Sequence, residues 1–270
     1  MHPKIAVIQF PGSNCEYETL RAIQATGTPS ELIRWNCKED FFHSFDGYIL
    51  PGGFSYQDRI RAGVISAKLP IMSFLEVADK RDKPILGICN GCQILAETGL
   101  VPNLGGESFI EIALAPNEIN SAQLGFICDW KTVTISNPTQ NKLTKLFQEN
   151  GPLSIPINHG EGRFVIKDTL LNKLDSITLI TYSTPDGASV DTYPTNPNGS
   201  TLNLAGIGNK KGNILAMMPH PERACFSKQI PRYVRGVKSK TPSESTPFGP
   251  WFPLFSAMKQ AVIAQKVVHS

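Results

Sequence analysis

Short runs of apolar, often β-branched residues recur along most of the chain. Each run is nearly continuous rather than alternating with polar residues, which is typical of strands buried on both faces of a parallel sheet. The predicted strands are Ile5–Phe10, Leu32–Trp35, Tyr48–Leu50, Pro84–Ile88, Thr132–Ile135, Ile177–Thr181 and Asn213–Met218.

Helical spacing of apolar residues marks several of the segments between these runs. The predicted helices are Glu16–Thr26, Leu69–Arg81, Asn90–Thr98 and a terminal helix over 251–268. Alternation of strands and helices predicts an α/β fold on a parallel sheet. Residues 110–136 show strand runs without helices, which predicts an antiparallel extension. Because the chain has neither an internal repeat nor a coherent linker, we expect residues 1–270 to form a single domain.

Composition excludes several classes of protein. The chain has 270 residues, 41% of them hydrophobic, which is enough to bury a core without disulfides or metals. No apolar run approaches the roughly 18 residues of a membrane span, and the first residues lack the layout of a signal peptide. Six cysteines are spread over the chain, as is usual in a reducing compartment. We expect a cytoplasmic protein that binds neither membranes nor nucleic acid.

Charge is unevenly distributed along the chain. Residues 1–222 contain 18 Lys and Arg against 22 Asp and Glu, a balance of −4, whereas residues 223–270 contain eight against one, a balance of +7. Prolines recur between residues 223 and 250, and the pattern predicts an extended basic loop there. Such a loop steers an acidic partner or is simply a solvated surface, and charge alone favours the second interpretation.

The segment Gly87-Ile88-Cys89-Asn90-Gly91 follows a predicted strand and opens a predicted helix. It has the Gly-x-nucleophile-x-Gly pattern, in which a sharp strand-to-helix turn exposes the nucleophile and flanking side chains would collide with neighbouring strands. The start of the helix behind Cys89 favours its thiolate. The pattern predicts a cysteine nucleophile rather than a buried structural cysteine.

Cys89 and Cys92 also form a Cys-x-x-Cys pair, which raises the alternatives of redox chemistry or a metal site. A zinc site needs two further ligands at suitable spacing, and the sequence offers no second Cys-x-x-Cys and no paired histidines. In the nucleophile interpretation Cys92 lies on the first helical turn and points into the packing. We therefore expect no metal.

A thiolate nucleophile needs a base and a group that orients the base. Two His-x-Glu pairs are candidates, His220 with Glu222 and His159 with Glu161. Residues i and i+2 of an extended chain point to the same side. The prolines around His220 favour extended backbone at the end of a buried strand, whereas glycines follow His159. These features favour His220 and Glu222, and the second pair stays open.

Backbone N–H groups that stabilise an oxyanion are predicted at two places. Gly52 and Gly53 follow the strand Tyr48–Leu50, so their turn exposes the backbone. The second donor is the backbone N–H of Asn90. Neither a Walker A sequence nor Gly-x-Gly-x-x-Gly is present, so no motif predicts nucleotide binding.

Taken together, these motifs resemble the class I (triad) glutamine amidotransferases. Leu-Pro-Gly-Gly-Phe-Ser-Tyr-x-Asp at 50–58, Pro-Gly-Ser-Asn-Cys at 11–15, His-Gly-Glu-Gly at 159–162 and Met-Met-Pro-His-Pro-Glu-Arg at 217–223 are similar to the glutaminase part of phosphoribosylformylglycinamidine synthases. The similarity extends from about residue 4 to residue 223 and weakens towards the end of the chain. It implies a flavodoxin-like, open and mostly parallel sheet flanked by helices.

The resemblance also implies a reaction. Glutamine is hydrolysed through a γ-glutamyl thioester on Cys89, with His220 as base and acid and Glu222 orienting it. Gly53 and Asn90 supply the oxyanion hole, and Gln93 helps to position the substrate. Ammonia passes to a synthetase partner, which makes formylglycinamidine ribonucleotide from formylglycinamide ribonucleotide and ATP in purine biosynthesis.

Partners and cofactors follow from the same resemblance. ATP and Mg²⁺ are expected on the synthetase, so this chain needs no cofactor, and a small third subunit is expected to join the complex. The basic segment is expected to dock on the synthetase. Two alternatives remain: a stand-alone γ-glutamyl or cysteine hydrolase of the same fold, and a non-catalytic regulatory module. The second is disfavoured because Cys89 and His220 are both present.

Overall fold

The computed structural model describes residues 3–147, 151–235 and 247–269. Strands in these ranges are numbered in chain order: β1 Ile5–Gln9, β2 Ser30–Arg34, β3 Gly47–Leu50, β4 Ile85–Ile88, β5 Ile112–Ala115, β6 Glu118–Ile119, β7 Ala122–Gln123, β8 Ile127–Ser136, β9 Leu153–His159, β10 Arg163–Ile166, β11 Leu179–Ser183, β12 Leu204–Gly208 and β13 Ile214–Met217. The α-helices are α1 Glu16–Gln24, α2 Glu39–His43, α3 Ile71–Lys80, α4 Asn90–Glu97, α5 Asp168–Leu171, α6 Arg232–Arg235 and α7 Phe252–His269.

The main sheet, as far as the chain is described, has nine strands in the order β2-β1-β3-β4-β13-β12-β11-β8-β9. The first five strands are parallel to one another. From β13 to β9 every neighbouring pair is antiparallel. The predicted α/β fold with an open, largely parallel sheet is therefore confirmed.

The parallel strands are apolar throughout because helices cover both of their faces. In β1, β3, β4 and β13 almost every residue is fully buried. The terminal helix α7 contributes Trp251, Leu254, Phe255 and Met258 to the same core. This rigid half of the sheet positions the turns that follow its strands.

The antiparallel half is larger than the predicted extension. Strand β8 carries part of the 110–136 region into the main sheet, whereas β5 pairs with β10 in a separate two-stranded sheet. Two main-sheet strands, β9 and β12, have no counterpart among the predicted ones. Strand β9 contains Pro156 and lies at the sheet edge, where a strand tolerates proline.

The predicted basic loop over 223–250 contains short helical turns where it is described. Short helical turns lie at Pro221–Arg223, Ser227–Gln229 and α6, and Phe226 forms an isolated bridge with Phe248. Residues 236–246, which carry the centre of the predicted docking segment, lie outside the described residues. No helix in the described part of the chain is long and apolar enough to cross a membrane.

Candidate active site

Five chain segments meet at one edge of the main sheet. They are the turns after β1, β3, β4 and β13, which are neighbouring parallel strands, and the end of β9. Between β13 and β9 the chain direction reverses at each of four neighbouring strand pairs, so β9 runs in the same direction as β13. Its last residues therefore reach the same edge of the sheet. Sites in open α/β sheets lie at this carboxyl edge. The predicted site residues Gly53, Cys89, His220 and Glu222 fall on these segments, and Asn90 and Gln93 lie on the first turn of α4.

Cys89 occupies the sharp turn between β4 and α4. Its backbone is strained, with φ 49° and ψ −106°, a combination that non-glycine residues rarely adopt. A Cβ on Gly87 would lie 2.7 Å from the carbonyl oxygen of Gly91, and one on Gly91 would lie 2.7 Å from the carbonyl carbon of Leu50. Both glycines are therefore required by close backbone approach, as the motif predicts.

The thiol of Cys89 is nearly buried, with 6% of the residue exposed. Its backbone N–H donates to the carbonyl of Met217, at the end of β13, over 2.8 Å. Its Sγ lies 3.6 Å from the carbonyl oxygen of Asn158 on β9. The first turn of α4 begins at the next residue, so unpaired helix N–H groups face the sulfur region.

His220 and Glu222 form a closely coupled buried pair. Nδ1 of His220 lies 2.6 Å from Oε1 of Glu222, and both side chains are shielded from solvent. Gly52 separates the imidazole from the nucleophile: a Cβ there would lie 2.9 Å from Cε1 of His220 and 3.4 Å from Cβ of Cys89. The structure thus brings the three predicted residues Cys89, His220 and Glu222 together.

Burial and charge act in opposite directions on His220. Burial lowers its pKa, but the negative charges of Glu222 and Cys89, with a further contact from Cys15, raise it well above the usual value for histidine. A raised pKa keeps a proton on the ring at neutral pH. Nε2 makes no hydrogen bond of normal geometry to any described residue, which leaves that proton available for transfer.

The Gly52–Gly53 turn is held by the turn that follows β1. The N–H of Phe54 donates to the carbonyl of Gly12 over 2.9 Å, and the N–H of Asn14 donates to the carbonyl of Gly52 over 3.2 Å. Gly53 has φ +154°, and a Cβ there would lie 2.6 Å from Cα of Ser13. Only glycine fits, and its backbone is fixed beside the nucleophile, as an oxyanion hole requires.

The side chains of Asn90 and Gln93 connect the turn after β3 with the segment after β9. The amide of Asn90 accepts from the N–H of Ser55 at 3.1 Å and donates to Oε1 of Gln93 at 2.8 Å. Gln93 in turn donates to the carbonyl of Glu161 at 2.7 Å. Both side chains are buried, so this network fixes the pocket wall beside Cys89.

The alternative pair, His159 and Glu161, does not form a base and its orienting acid. Nδ1 of His159 lies 3.1 Å from the amide oxygen of Asn117, and Oε2 of Glu161 accepts from the N–H of Ala62. Burial, with a smaller effect from His220, lowers the pKa of His159 to about 3. The ring is therefore neutral, and the geometry favours His220 as the candidate base.

Cys92 is fully buried on α4, and burial raises its pKa well above the usual value for a thiol. All six cysteines are free. A protonated, inaccessible thiol is a poor redox partner, so the geometry favours the predicted packing role of Cys92.

Sequence reasoning assigned no role to Cys15 or Arg223, yet both contact the catalytic pair. Sγ of Cys15 lies 4.0 Å from Nδ1 of His220 and accepts from Arg223 at 3.3 Å. Together with His220 and Glu222, Cys15 offers the donor types of a metal site, with the three donor atoms within 4.8 Å of one another. The His–Glu hydrogen bond and the adjacent guanidinium oppose a cation there.

Asp58 is a further acidic residue of the pocket that sequence reasoning left without a role. Oδ1 accepts from the amide of Asn90 at 3.3 Å. Burial and the nearby Glu161 carboxylate raise the pKa of Asp58 to about 6. These contacts join residues far apart in the chain, and only the sequence motif around Asp58 signals its position.

The chain is similar in sequence to known glutamine amidotransferases. Residues 2–261 match the CobB/CobQ-like glutamine amidotransferase domain. The chain is 43% identical, over 96% of its length and 98% of the relative, to phosphoribosylformylglycinamidine synthase subunit PurQ of Methanothrix thermoacetophila. It is 42% identical, over 82% of its length and 89% of the relative, to the protein of the same name from Pyrococcus furiosus.

Solved structures agree with this similarity. A chain of the PurLQS structure from Thermotoga maritima superimposes with a TM-score of 0.69 at 29% identity, covering 96% of this chain and 99% of that one. The glutaminase domain of Trypanosoma brucei CTPS superimposes with a TM-score of 0.57 at 14% identity, covering 97% and 94%. The second likeness shows a shared fold.

Proposed function

The chain belongs to the family of CobB/CobQ-like glutamine amidotransferases, and from that premise we propose how its residues act as the glutaminase subunit of a phosphoribosylformylglycinamidine synthase. The relatives of that name match it over nearly their full length. In this function the chain hydrolyses L-glutamine to glutamate and ammonia, and a synthetase subunit uses the ammonia with ATP to convert formylglycinamide ribonucleotide into formylglycinamidine ribonucleotide.

One observation carries the assignment of chemistry to residues. Cys89 lies at a strained turn of φ 49°, and the buried His220–Glu222 pair, joined over 2.6 Å, lies across a single glycine from it. A nucleophile, a base and a group that orients the base are the parts that acyl transfer needs.

The first half-reaction forms a thioester. The thiolate of Cys89 attacks the side-chain carbonyl carbon of glutamine, and the developing oxyanion is stabilised by the backbone N–H groups of Gly53 and Asn90. The protonated imidazole of His220 gives its proton to the departing amino group, so the C–N bond breaks and ammonia leaves. Cys89 then carries a γ-glutamyl thioester, and Glu222 holds the imidazole throughout.

The second half-reaction reverses the roles. Neutral His220 takes a proton from a water molecule that attacks the thioester carbonyl, and the C–S bond breaks to release glutamate and the Cys89 thiolate. The buried amide of Gln93 lies one helical turn from Cys89 on α4. Fixed by Asn90 and the carbonyl of Glu161, it helps to position the substrate.

The synthetase subunit is the partner that the relatives' names and the PurLQS structure support. We further propose that a small third subunit joins the complex, that ATP and Mg²⁺ bind the synthetase, and that this chain carries no cofactor of its own. The same proposal makes residues 1–270 one amidotransferase domain that acts in the cytoplasm.

Exposed apolar side chains around the pocket support contact with that partner. Ile60 is 89% exposed, Phe126 is 53% exposed, and the Phe54 and Phe126 rings lie 6.1 Å apart. Phe54 directly follows Gly53, and Phe126 packs near Gly160 beside the end of β9. Large apolar groups gathered at a surface mark interaction sites.

The test separates hydrolysis of glutamine from use of ammonia. The chain is reconstituted with its synthetase, and product formation is measured with glutamine or with ammonium chloride. For Cys89→Ala we expect glutamine-dependent synthesis to fall at least about 10³-fold and ammonia-dependent synthesis to stay within about twofold. Cys128→Ala, which removes an exposed thiol, serves as the matched control.

The stand-alone hydrolase is the alternative that this experiment also addresses. It predicts that the isolated chain hydrolyses glutamine at full rate and that the synthetase gains nothing from it. Stimulation of glutaminase activity by the synthetase, together with glutamine-dependent product, supports the amidotransferase function; absence of both contradicts it.

A further inference from the structure

Arg223 lies directly behind the catalytic pair, on the turn that follows His220. Its Nε lies 3.0 Å from Oε2 of Glu18 on α1 and 3.9 Å from Oε1 of Glu222. Its Nη2 donates to Sγ of Cys15 over 3.3 Å. The guanidinium is thus the positively charged group that joins helix α1 to the His-Pro-Glu turn.

Glu222 needs a positive charge close by. The residue is fully buried, and its Oε2 has no hydrogen-bond partner among the described residues. A buried carboxylate is costly unless a charge or hydrogen bonds compensate it. Protonated His220 compensates it in the resting enzyme, at 2.6 Å.

That compensation ends during the reaction. When His220 gives its proton to the leaving ammonia, the imidazole becomes neutral while Glu222 stays buried. Arg223 is then the remaining cation in ion-pair range of the carboxylate within the described part of the chain. Its charge is permanent because guanidinium does not lose its proton at any pH of interest.

We propose that Arg223 is a positioning residue that keeps Glu222 ionised after His220 has given up its proton. The inference rests on the proposed function, because it assumes that His220 acts as the acid. The role is electrostatic and does not involve contact with the substrate.

Other charged or titratable groups also face this pair. Before α1 the group is Cys15, on the elbow it is Cys89, on β9 His159, and after the turn Cys225. Glu18 is the anion that already pairs with Arg223. Removing Glu18 should therefore free the guanidinium without removing its charge.

Three variants separate charge from tethering. Arg223→Gln removes the charge and most of the contacts, Arg223→Lys keeps the charge, and Glu18→Gln breaks the tether to α1 while leaving Arg223 charged. Each is assayed as the reconstituted complex for kcat and KM of glutamine hydrolysis between pH 5.5 and 9.

For Arg223→Gln we expect kcat to fall about tenfold at pH 7, KM to stay within about twofold, and the acid limb of the kcat profile to move up by about half to one pH unit. Arg223→Lys should recover to within about threefold of the unchanged chain, and Glu18→Gln should leave the profile in place. An unmoved profile in Arg223→Gln, or an equal shift in Glu18→Gln, would overturn the proposal and make the residue a structural tether.

A second readout does not depend on glutamine. The rate at which iodoacetamide alkylates Cys89, followed by mass spectrometry of its peptide, reports the thiolate fraction as a function of pH. Loss of the Arg223 charge should move the midpoint of that curve upward, and an unmoved midpoint contradicts the proposal. If the unchanged complex also lacks glutaminase activity, the proposed function fails and the role of Arg223 fails with it. If the unchanged complex is active but the midpoint stays in place in Arg223→Gln, the role of Arg223 alone fails.

Discussion

Replacing Glu222 by glutamine tests the mechanism at its central hydrogen bond. In the unchanged chain Oε1 of Glu222 lies 2.6 Å from Nδ1 of His220. The substitution keeps the size of the side chain and an oxygen at this place, but it removes the negative charge. In the unchanged chain burial lowers the pKa of His220, and the charges of Glu222 and Cys89 raise it well above the usual value. Without the Glu222 charge, burial should dominate.

His159 shows the direction of that change. It is equally buried in the same molecule, its Nδ1 faces the amide oxygen of Asn117 at 3.1 Å, and its pKa is lowered to about 3. Glu222→Gln gives His220 the same kind of amide partner. Burial then holds the pKa of His220 below its ordinary value, so only a minor fraction of the ring is protonated at pH 7. General acid catalysis contributes about 10² to 10⁴ in rate, so kcat should fall by that amount.

Glutamine hydrolysis by the reconstituted complex at pH 7, with kcat and KM determined separately, is the appropriate assay. Glu97→Gln is the matched control. Glu97, the last residue of α4, is also buried, but it pairs with Arg61 and not with His220. It should retain kcat within about threefold. A loss below about tenfold in Glu222→Gln, with the fold intact by circular dichroism, would refute the role given to the His220–Glu222 pair.

Further predictions concern packing, pH and assembly. Gly91→Ala should lower the free energy of unfolding by about 1–3 kcal/mol, because its Cβ would overlap the backbone of Leu50; Gly160→Ala, with its nearest contact at 3.5 Å, should be neutral in thermal denaturation. Burial and Glu161 raise the pKa of Asp58 to about 6, so the folded state binds this proton more tightly and Asp58 costs stability as pH rises from about 4 to 6. Asp58→Asn should therefore be more stable than the unchanged chain at pH 8, by about 1 kcal/mol after solvent screening, but not at pH 4; equal gains at both pH values in urea titrations would contradict this. Ile60→Asp should weaken binding to the synthetase at least about tenfold in calorimetry, with the thermal midpoint unchanged, because Ile60 is exposed; unchanged affinity would exclude Ile60 from the interface.

The parallel half of the sheet was predictable because its strands are short apolar runs. Strands β1, β4 and β13 fall within the predicted segments, β3 begins one residue before its predicted start, and helices α1, α3 and α4 begin within two residues of the predicted starts. The sequence of the antiparallel half predicts its strands less clearly. Strand β9 alternates and contains Pro156, and β12 is the glycine-containing Leu-Ala-Gly-Ile-Gly, so neither resembles the buried runs of a parallel strand.

Local motifs were sufficient to predict that Cys89 and His220, the proposed nucleophile and base, lie at turns where their side chains can meet. The glycines around Cys89 and the prolines around His220 constrain the backbone within a few residues, so their spacing carries the geometry. The structure brings them together as predicted and also separates the two His-x-Glu pairs, which spacing alone left open. Asn117 explains the difference, because its amide oxygen bonds His159 and leaves that ring neutral.

Contacts between distant parts of the chain could not be predicted from spacing. Arg223 meets Cys15 across 208 positions and Glu18 across 205, and the pKa of Asp58 is raised first by burial and then by the Glu161 carboxylate. These interactions depend on the order of strands in the sheet, which places β1 two strands from the elbow strand β4 on one side and β13 directly next to β4 on the other. A single sequence contains no direct record of that order.

The most direct test of the central claim, that Cys89 is the nucleophile for glutamine, is labelling by an electrophilic glutamine analogue followed by peptide mass spectrometry. The measurement is made with and without the synthetase and with excess glutamine as competitor. The account predicts label confined to Cys89 and prevented by glutamine, in the complex at least. Label on Cys92 or Cys15 instead, or no label under either condition, would contradict it.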